Sequence, residues 1–70
     1  MKRLTIKEIK SIIKRYDYKL MYSDKSVYAI NMKSNKGYVD RTPLCSGGTE
    51  YENLVAVLSI VLLSESYSDN

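Results

Sequence analysis

Few side chains in this sequence could carry out chemistry. The 70-residue chain has no histidine and a single cysteine, Cys45. Without an imidazole the commonest general base is missing, and one thiol alone cannot furnish the usual zinc ligand set. The carboxylates have structural duties. Glu8 and Glu52 fall at the third helical position of capping boxes, Asp24 lies in a turn cluster, and Asp17 and Asp40 flank strand-like runs. No pair of them has a spacing that requires proximity. The residue types therefore point away from an enzyme, a cofactor or a metal site.

One loop invites a closer look. Cys45-Ser46-Gly47-Gly48-Thr49 places two glycines ahead of a helix start, where backbone N–H groups can meet a phosphate. It lacks the Lys-Ser/Thr of a P-loop and does not match G-x-G-x-x-G, so an ordinary loop ending in a helix cap is the plainer reading. Cys45 sits near that helix start, but no His is present to activate it, and a small buried or half-buried thiol is expected. A cysteine with no partner in the chain suits a reducing compartment. Met1-Lys2-Arg3 is followed by a polar, periodic segment rather than an apolar signal core, so the cytoplasm is the expected location.

What remains is binding chemistry. Residues 1–41 hold all eleven Lys and Arg beside Glu8, Asp17, Asp24 and Asp40, whereas residues 42–70 hold only acids. The net charge of +3 is thus a basic first half joined to an acidic second half, and one surface should attract anions. Lys7, Lys10, Lys14 and Arg15 belong to the first helix and lie away from its apolar stripe, and Arg3 sits just upstream. They are either a solvated face or a contact surface for phosphates or an acidic protein. Seven tyrosines with neither Phe nor Trp suit boundaries and interfaces, since Tyr joins apolar area to a polar tip. Tyr22, Tyr28 and Tyr38 could approach one another across strands and, beside nearby lysines, stack single-stranded nucleic acid. The alternative is that several tyrosines line a small core with their hydroxyls outward.

These residues need elements to position them. Thr5 and Glu8 form a capping box, and Ile6, Ile9, Ile12, Ile13 and Tyr16 make one apolar stripe, predicting a helix from Ile6 to Arg15 or Tyr16. Tyr18–Tyr22, Val27–Met32 and Tyr38–Arg41 read as strands separated by short polar turns, hence an antiparallel meander. Period two puts Tyr18, Leu20, Tyr22, Tyr28, Ile30 and Met32 on the face toward the helices, although a one-residue slip would invert it. Thr49 and Glu52 then cap a second helix, from Glu50 to about Ser64–Ser66, in which only Ser59 is polar between Leu54 and Leu63. Ten such residues are about half a membrane span, so a core helix is expected. Its main stripe is Tyr51, Leu54, Val55, Leu58, Val61 and Leu62, with Val57 and Ile60 on a flank that a thin fold would leave bare.

The expected fold is one α+β domain over residues 1–70. It has two layers in the order helix–strand–strand–strand–helix, with a three-stranded antiparallel meander and a frayed tail at about 66–70. So small a chain buries little surface, which leaves dense packing or assembly with another chain as the routes to stability.

In length, in Lys/Ile/Tyr/Ser-rich composition, in lacking a catalytic motif and in element order, the chain resembles small inhibitors carried by phages and mobile elements, anti-CRISPR proteins among them. The resemblance covers the architecture and carries over no functional residue. Several such inhibitors are acidic DNA mimics, and this chain is basic, so the resemblance implies a protein-surface mechanism. The expected function is a non-catalytic protein-binding regulator, inhibitor or accessory subunit, acting on a host defence or nucleic-acid-processing complex, with self-association into a homodimer as a further expectation. The candidate contact residues are Val57, Ile60, Leu63, Tyr22, Tyr28 and Tyr38. The alternative is a small basic nucleic-acid-binding domain using the first helix and the tyrosine-bearing strands.

Overall fold

The computed structural model describes residues 3–33 and 41–68. Helix α1 spans Ile6–Arg15. The Thr5 N–H donates to Glu8 Oε1 at 2.8 Å and the Glu8 N–H donates to Thr5 Oγ1 at 3.1 Å, so the capping box closes from both sides. Ile9 and Ile13 are fully buried, and Ile6, Ile12 and Tyr16 pack against them, which is the stripe that the spacing predicts. The helix stops where Asp17 takes a left-handed backbone, φ 64°, and its N–H turns back to the Lys14 carbonyl at 2.9 Å. The Asp17 carbonyl then accepts from the Met32 N–H at 2.8 Å, tying the helix exit to the end of the hairpin.

Strands β1 (Tyr18–Ser23) and β2 (Ser26–Asn31) form an antiparallel hairpin. Its loop is the pair Asp24-Lys25, with Asp24 at φ 57°, the positive φ that tight hairpin loops favour at their first position. This loop corrects the expected sheet faces. With two residues between the strands, even-numbered positions of β1 pair with odd-numbered positions of β2: Tyr18 with Asn31, Leu20 with Ala29, Tyr22 with Val27. Directly paired residues share a face. Val27 and Ala29 therefore join Tyr18 and Leu20 against the helices, while Tyr28 and Ile30 sit with Met21 and Lys19 on the other side. The expectation held for β1 and was inverted for β2, because it carried even numbering through a loop that switches parity.

The far edge of β2 is met by the segment leading to the second helix. Cys45 exchanges both backbone hydrogen bonds with Val27, at 2.9 and 3.0 Å, and the Thr42 N–H donates to the Ala29 carbonyl at 2.9 Å. Between these contacts the register shifts by one residue at Pro43-Leu44, and Pro43 has no N–H to offer a ladder. The buried Thr42 side chain replaces the missing backbone acceptor: its Oγ1 takes the Ala29 N–H at 2.8 Å. Residues 38–40 of the expected third strand lie outside the described residues. Within them the sheet has two strands, with isolated bridges from β2 to Arg41 and Cys45.

Helix α2 spans Glu50–Ser68, continuing past the expected end into part of the stretch read as a frayed tail. Its capping box forms as predicted, with Thr49 N–H to Glu52 Oε1 at 2.8 Å and Glu52 N–H to Thr49 Oγ1 at 3.1 Å. It packs against both α1 and β2 and buries Leu54, Val57, Leu58 and Val61. The buried arc is therefore rotated from the expected stripe. Val57, read as a bare flank, is 0% exposed, whereas Val55 and Leu62, read as core, are 38% and 42% exposed. A helix apolar on every side leaves its orientation to its neighbours, and here α1 and β2 together claim the Val57 side. Two helices on one face of an antiparallel sheet make an α+β fold.

Candidate docking surface

Among the described residues, the outward arc of α2 carries three of the seven exposed large apolar side chains, Val55, Leu62 and Leu63. Val55, Ala56, Ser59, Leu62, Leu63 and Ser66 are all exposed, and at 3.6 residues per turn they lie on one side of the helix. Leu63 is 58% exposed. No charged residue occurs between Glu52 and Glu65. The one hydroxyl at its centre is turned inward: Ser59 Oγ donates to the Val55 carbonyl at 3.0 Å, which lowers the polarity of the stripe. An uncharged side of a helix more than three turns long is chemically suited to excluding water against another protein surface.

The residues expected at a partner site divide. Val57 is in the core. Ile60 is half-buried at the border of the arc, beside Thr42 and Pro43, and Leu63 is on the arc. Tyr22 is 51% exposed and shares the helix-facing side of the sheet with Val27, whereas Tyr28 is half-buried on the opposite side. The expected tyrosine platform is thus split across the hairpin, again because of the two-residue loop. Tyr38 lies outside the described residues. Tyr28 has a local partner instead, the Arg41 guanidinium 5.4 Å from its ring centre.

The basic residues also divide. Arg3 lies over the Tyr51 ring at 4.6 Å, and Lys10 stands 3.7 Å from Glu50 and 5.7 Å from the Tyr22 ring centre. Lys7 and Lys14 share the outer stripe of α1 with Lys10, while Arg15 points around the helix from them. A groove of about 320 Å³ between α1 and β1 has Tyr18 and Leu20 in its wall and Lys10, Lys14 and Lys19 around it. Lys19, from β1, is expected from the sequence beside the strand tyrosines rather than beside the first helix. Only the hairpin geometry brings it beside α1.

The glycine loop is arranged against an anion. Glu52 Oε1 takes the Thr49 N–H, and a Cβ on Gly48 would stand 2.8 Å from that same oxygen. The helix start is already filled by the protein's own carboxylate, held below the usual carboxylate value chiefly by its backbone hydrogen bond from Thr49. Cys45 is half-buried, with Sγ 3.6 Å from the Pro43 carbonyl. Among the described residues there is no cluster of three or more potential metal ligands, and no helix is long and apolar enough to cross a membrane.

A polar clasp holds the far end of α2. Glu65 Oε1 is 2.6 Å from Lys33 Nζ, and its Oε2 lies 3.5 Å from the Tyr18 hydroxyl. Burial, and then the Glu65 charge, raise the Tyr18 phenol above its ordinary value, while the hydrogen bond to Glu65 raises the Lys33 ammonium. At the other end the buried Asn53 amide donates to the Lys25 carbonyl in the hairpin loop at 3.4 Å. The two contacts tie both ends of α2 to the hairpin. No protein-family model matches the chain, and neither a curated protein nor a solved structure matches it.

Proposed function

We propose that this chain is a non-catalytic protein-binding module, a regulator, inhibitor or accessory subunit, that docks through the outward arc of α2. One observation carries the reading: Val55, Leu62 and Leu63 are held out of a core that had room on the same helix for Leu54, Val57, Leu58 and Val61. The lack of His and of any clustered carboxylates in the sequence supports a role without catalysis. Action on a host defence or nucleic-acid-processing complex, in the manner of small phage-borne inhibitors, is one setting for such a module. In this reading the chain works in the cytoplasm, and the segment before Thr42 completes a three-stranded meander.

The test is capture on immobilised protein at moderate salt. The wild-type chain should retain a stoichiometric protein that the Leu62→Glu chain does not. Equal retention by both, or none by either, contradicts the assignment of the arc. The groove ringed by Lys10, Lys14 and Lys19 favours a second reading, a nucleic-acid contact along α1. That reading requires anisotropy with labelled DNA or RNA to weaken steeply with salt, and the slope to flatten after Lys7→Ala, Lys10→Ala and Lys14→Ala.

A further inference from the structure

We propose that the free edge of β1, beside the lysines of α1, takes up an extended acidic peptide segment of another protein as an added strand. This surface is separate from the α2 arc and does not rest on it. β1 pairs with β2 along one edge, and among the described residues no strand or bridge meets its other edge. The register decides which backbone groups face that way. In β2 the groups of Val27 and Ala29 turn away from β1, because they bond to Cys45 and Thr42. In an antiparallel pair, directly opposed residues exchange both hydrogen bonds or neither. Tyr22 and Leu20, opposite Val27 and Ala29, therefore turn their N–H and C=O groups out to the free edge. Tyr22 is exposed and Leu20 half-buried, so this edge is open. Such a row of unpaired groups is a template for another strand.

Charge selects the occupant. The outer stripe of α1 runs beside this edge: Lys10 stands 5.7 Å from the Tyr22 ring centre, and Lys14 shares the groove with Tyr18, Lys19 and Leu20. No carboxylate lines that groove. Lys10 has Glu50 at 3.7 Å, but Lys14 and Lys19 have no carboxylate partner among the described residues. A second copy of β1 would bring its own lysines against these, and like charges across a strand pair are destabilising. A nucleic acid could neutralise the lysines, but its phosphates only accept hydrogen bonds and would leave the Leu20 and Tyr22 carbonyls without donors. An extended peptide supplies donors and acceptors in turn. Its acidic side chains reach the ammonium groups, and its apolar ones cover Tyr18 and Leu20 in the groove wall. The edge from Tyr18 to Tyr22 is only about 17 Å long at about 3.4 Å per residue. The contact should therefore be weak, with a Kd on the order of 100 µM.

The probe is a capped, fluorescent peptide of about seven residues that alternates glutamate and valine, titrated with the full chain and followed by anisotropy at low salt. Wild type should bind it, and no binding up to about 1 mM overturns the inference. The same peptide N-methylated at every residue keeps its charge but has no N–H to give. It should bind at least about tenfold more weakly, and equal binding overturns the inference, because charge alone would then account for it. Lys14→Gln with Lys19→Gln should weaken binding at least about fivefold, and unchanged affinity overturns the placement. Both side chains are exposed, so this variant should melt close to wild type. An oligothymidylate of equal charge that binds as tightly as the peptide decides for nucleic acid and against this inference. Amide exchange gives a second reading: saturating peptide should slow Leu20 and Tyr22 at least about tenfold and leave Lys19 and Met21, already paired with β2, little changed. Unchanged exchange at Leu20 and Tyr22 overturns the added strand. Leu62→Glu should bind the peptide as wild type does, so the two surfaces fail separately; a parallel loss would place the peptide on the arc and overturn the inference.

Discussion

Replacing Val57 and Leu62 by alanine, one at a time, tests the rotation of α2. From the sequence the two were assigned the opposite way round, and in the fold Val57 is 0% exposed and Leu62 is 42% exposed. Val57→Ala removes two buried carbon groups, worth about 1.6 kcal/mol by transfer. The cavity left among well-packed neighbours adds about another 1 kcal/mol, and alanine's better helix propensity offsets about 0.5 kcal/mol. The net loss should be about 2 kcal/mol, which in a domain of this size lowers Tm by roughly 8–16 °C. Leu62→Ala keeps a good helix former at an exposed site and should change stability by less than about 0.5 kcal/mol. Thermal and urea melts followed by circular dichroism, at concentrations low enough to exclude self-association, give both values. A near-neutral Val57→Ala together with a costly Leu62→Ala would mean that α2 is turned the other way, and the docking surface would go with it.

Three further outcomes follow from single contacts. Thr42→Val keeps the shape but leaves the Ala29 N–H without its acceptor, so it should cost about 1–3 kcal/mol in the same melts, whereas Thr42→Ser should recover most of that. Asp17→Gly relieves a left-handed backbone at the helix exit and should raise stability by about 0.5–1 kcal/mol; a loss would show that the Asp17 side chain contributes something the backbone does not explain. Tyr18 and Lys33 both hold their protons more tightly in the folded chain. Their stabilising effect is complete below their unfolded values and fades as pH rises past about 10 through the folded ones. Alkaline melts should therefore show stability falling in that window, less steeply in Glu65→Gln. An identical slope in that variant would remove Glu65 from the clasp.

Local signals in the sequence were strong wherever a few neighbouring residues decide the structure. Thr5 with Glu8 and Thr49 with Glu52 mark both helix starts, since a capping box closes within four residues whatever the rest of the chain does. The α1 stripe was equally plain, because lysines oppose isoleucines across it. The face of β2 was not, since it depends on the parity of the Asp24-Lys25 loop, and both faces of the hairpin carry apolar residues. Nor was the rotation of α2, because a helix with one polar residue in ten presents no contrast for periodicity to read. Thr42, Asn53 and Glu65 act across 13, 28 and 47 residues, at separations where spacing carries no signal. Of the six residues first assigned to a partner, Leu63 lies on the arc, Ile60 borders it, and Val57 is in the core.

The central claim is that the Val55–Ser66 side of α2 is where this protein meets another surface. Nitrogen–proton correlation spectra of the labelled chain, recorded with and without the protein it retains, test it most directly by showing which amides change surroundings on binding. The account predicts shifts concentrated at Val55, Ser59, Leu62, Leu63 and Ser66, with Lys7, Lys14 and Tyr28 unmoved. Shifts clustered instead on α1 or on the Tyr28 face of the sheet, with α2 silent, would contradict it.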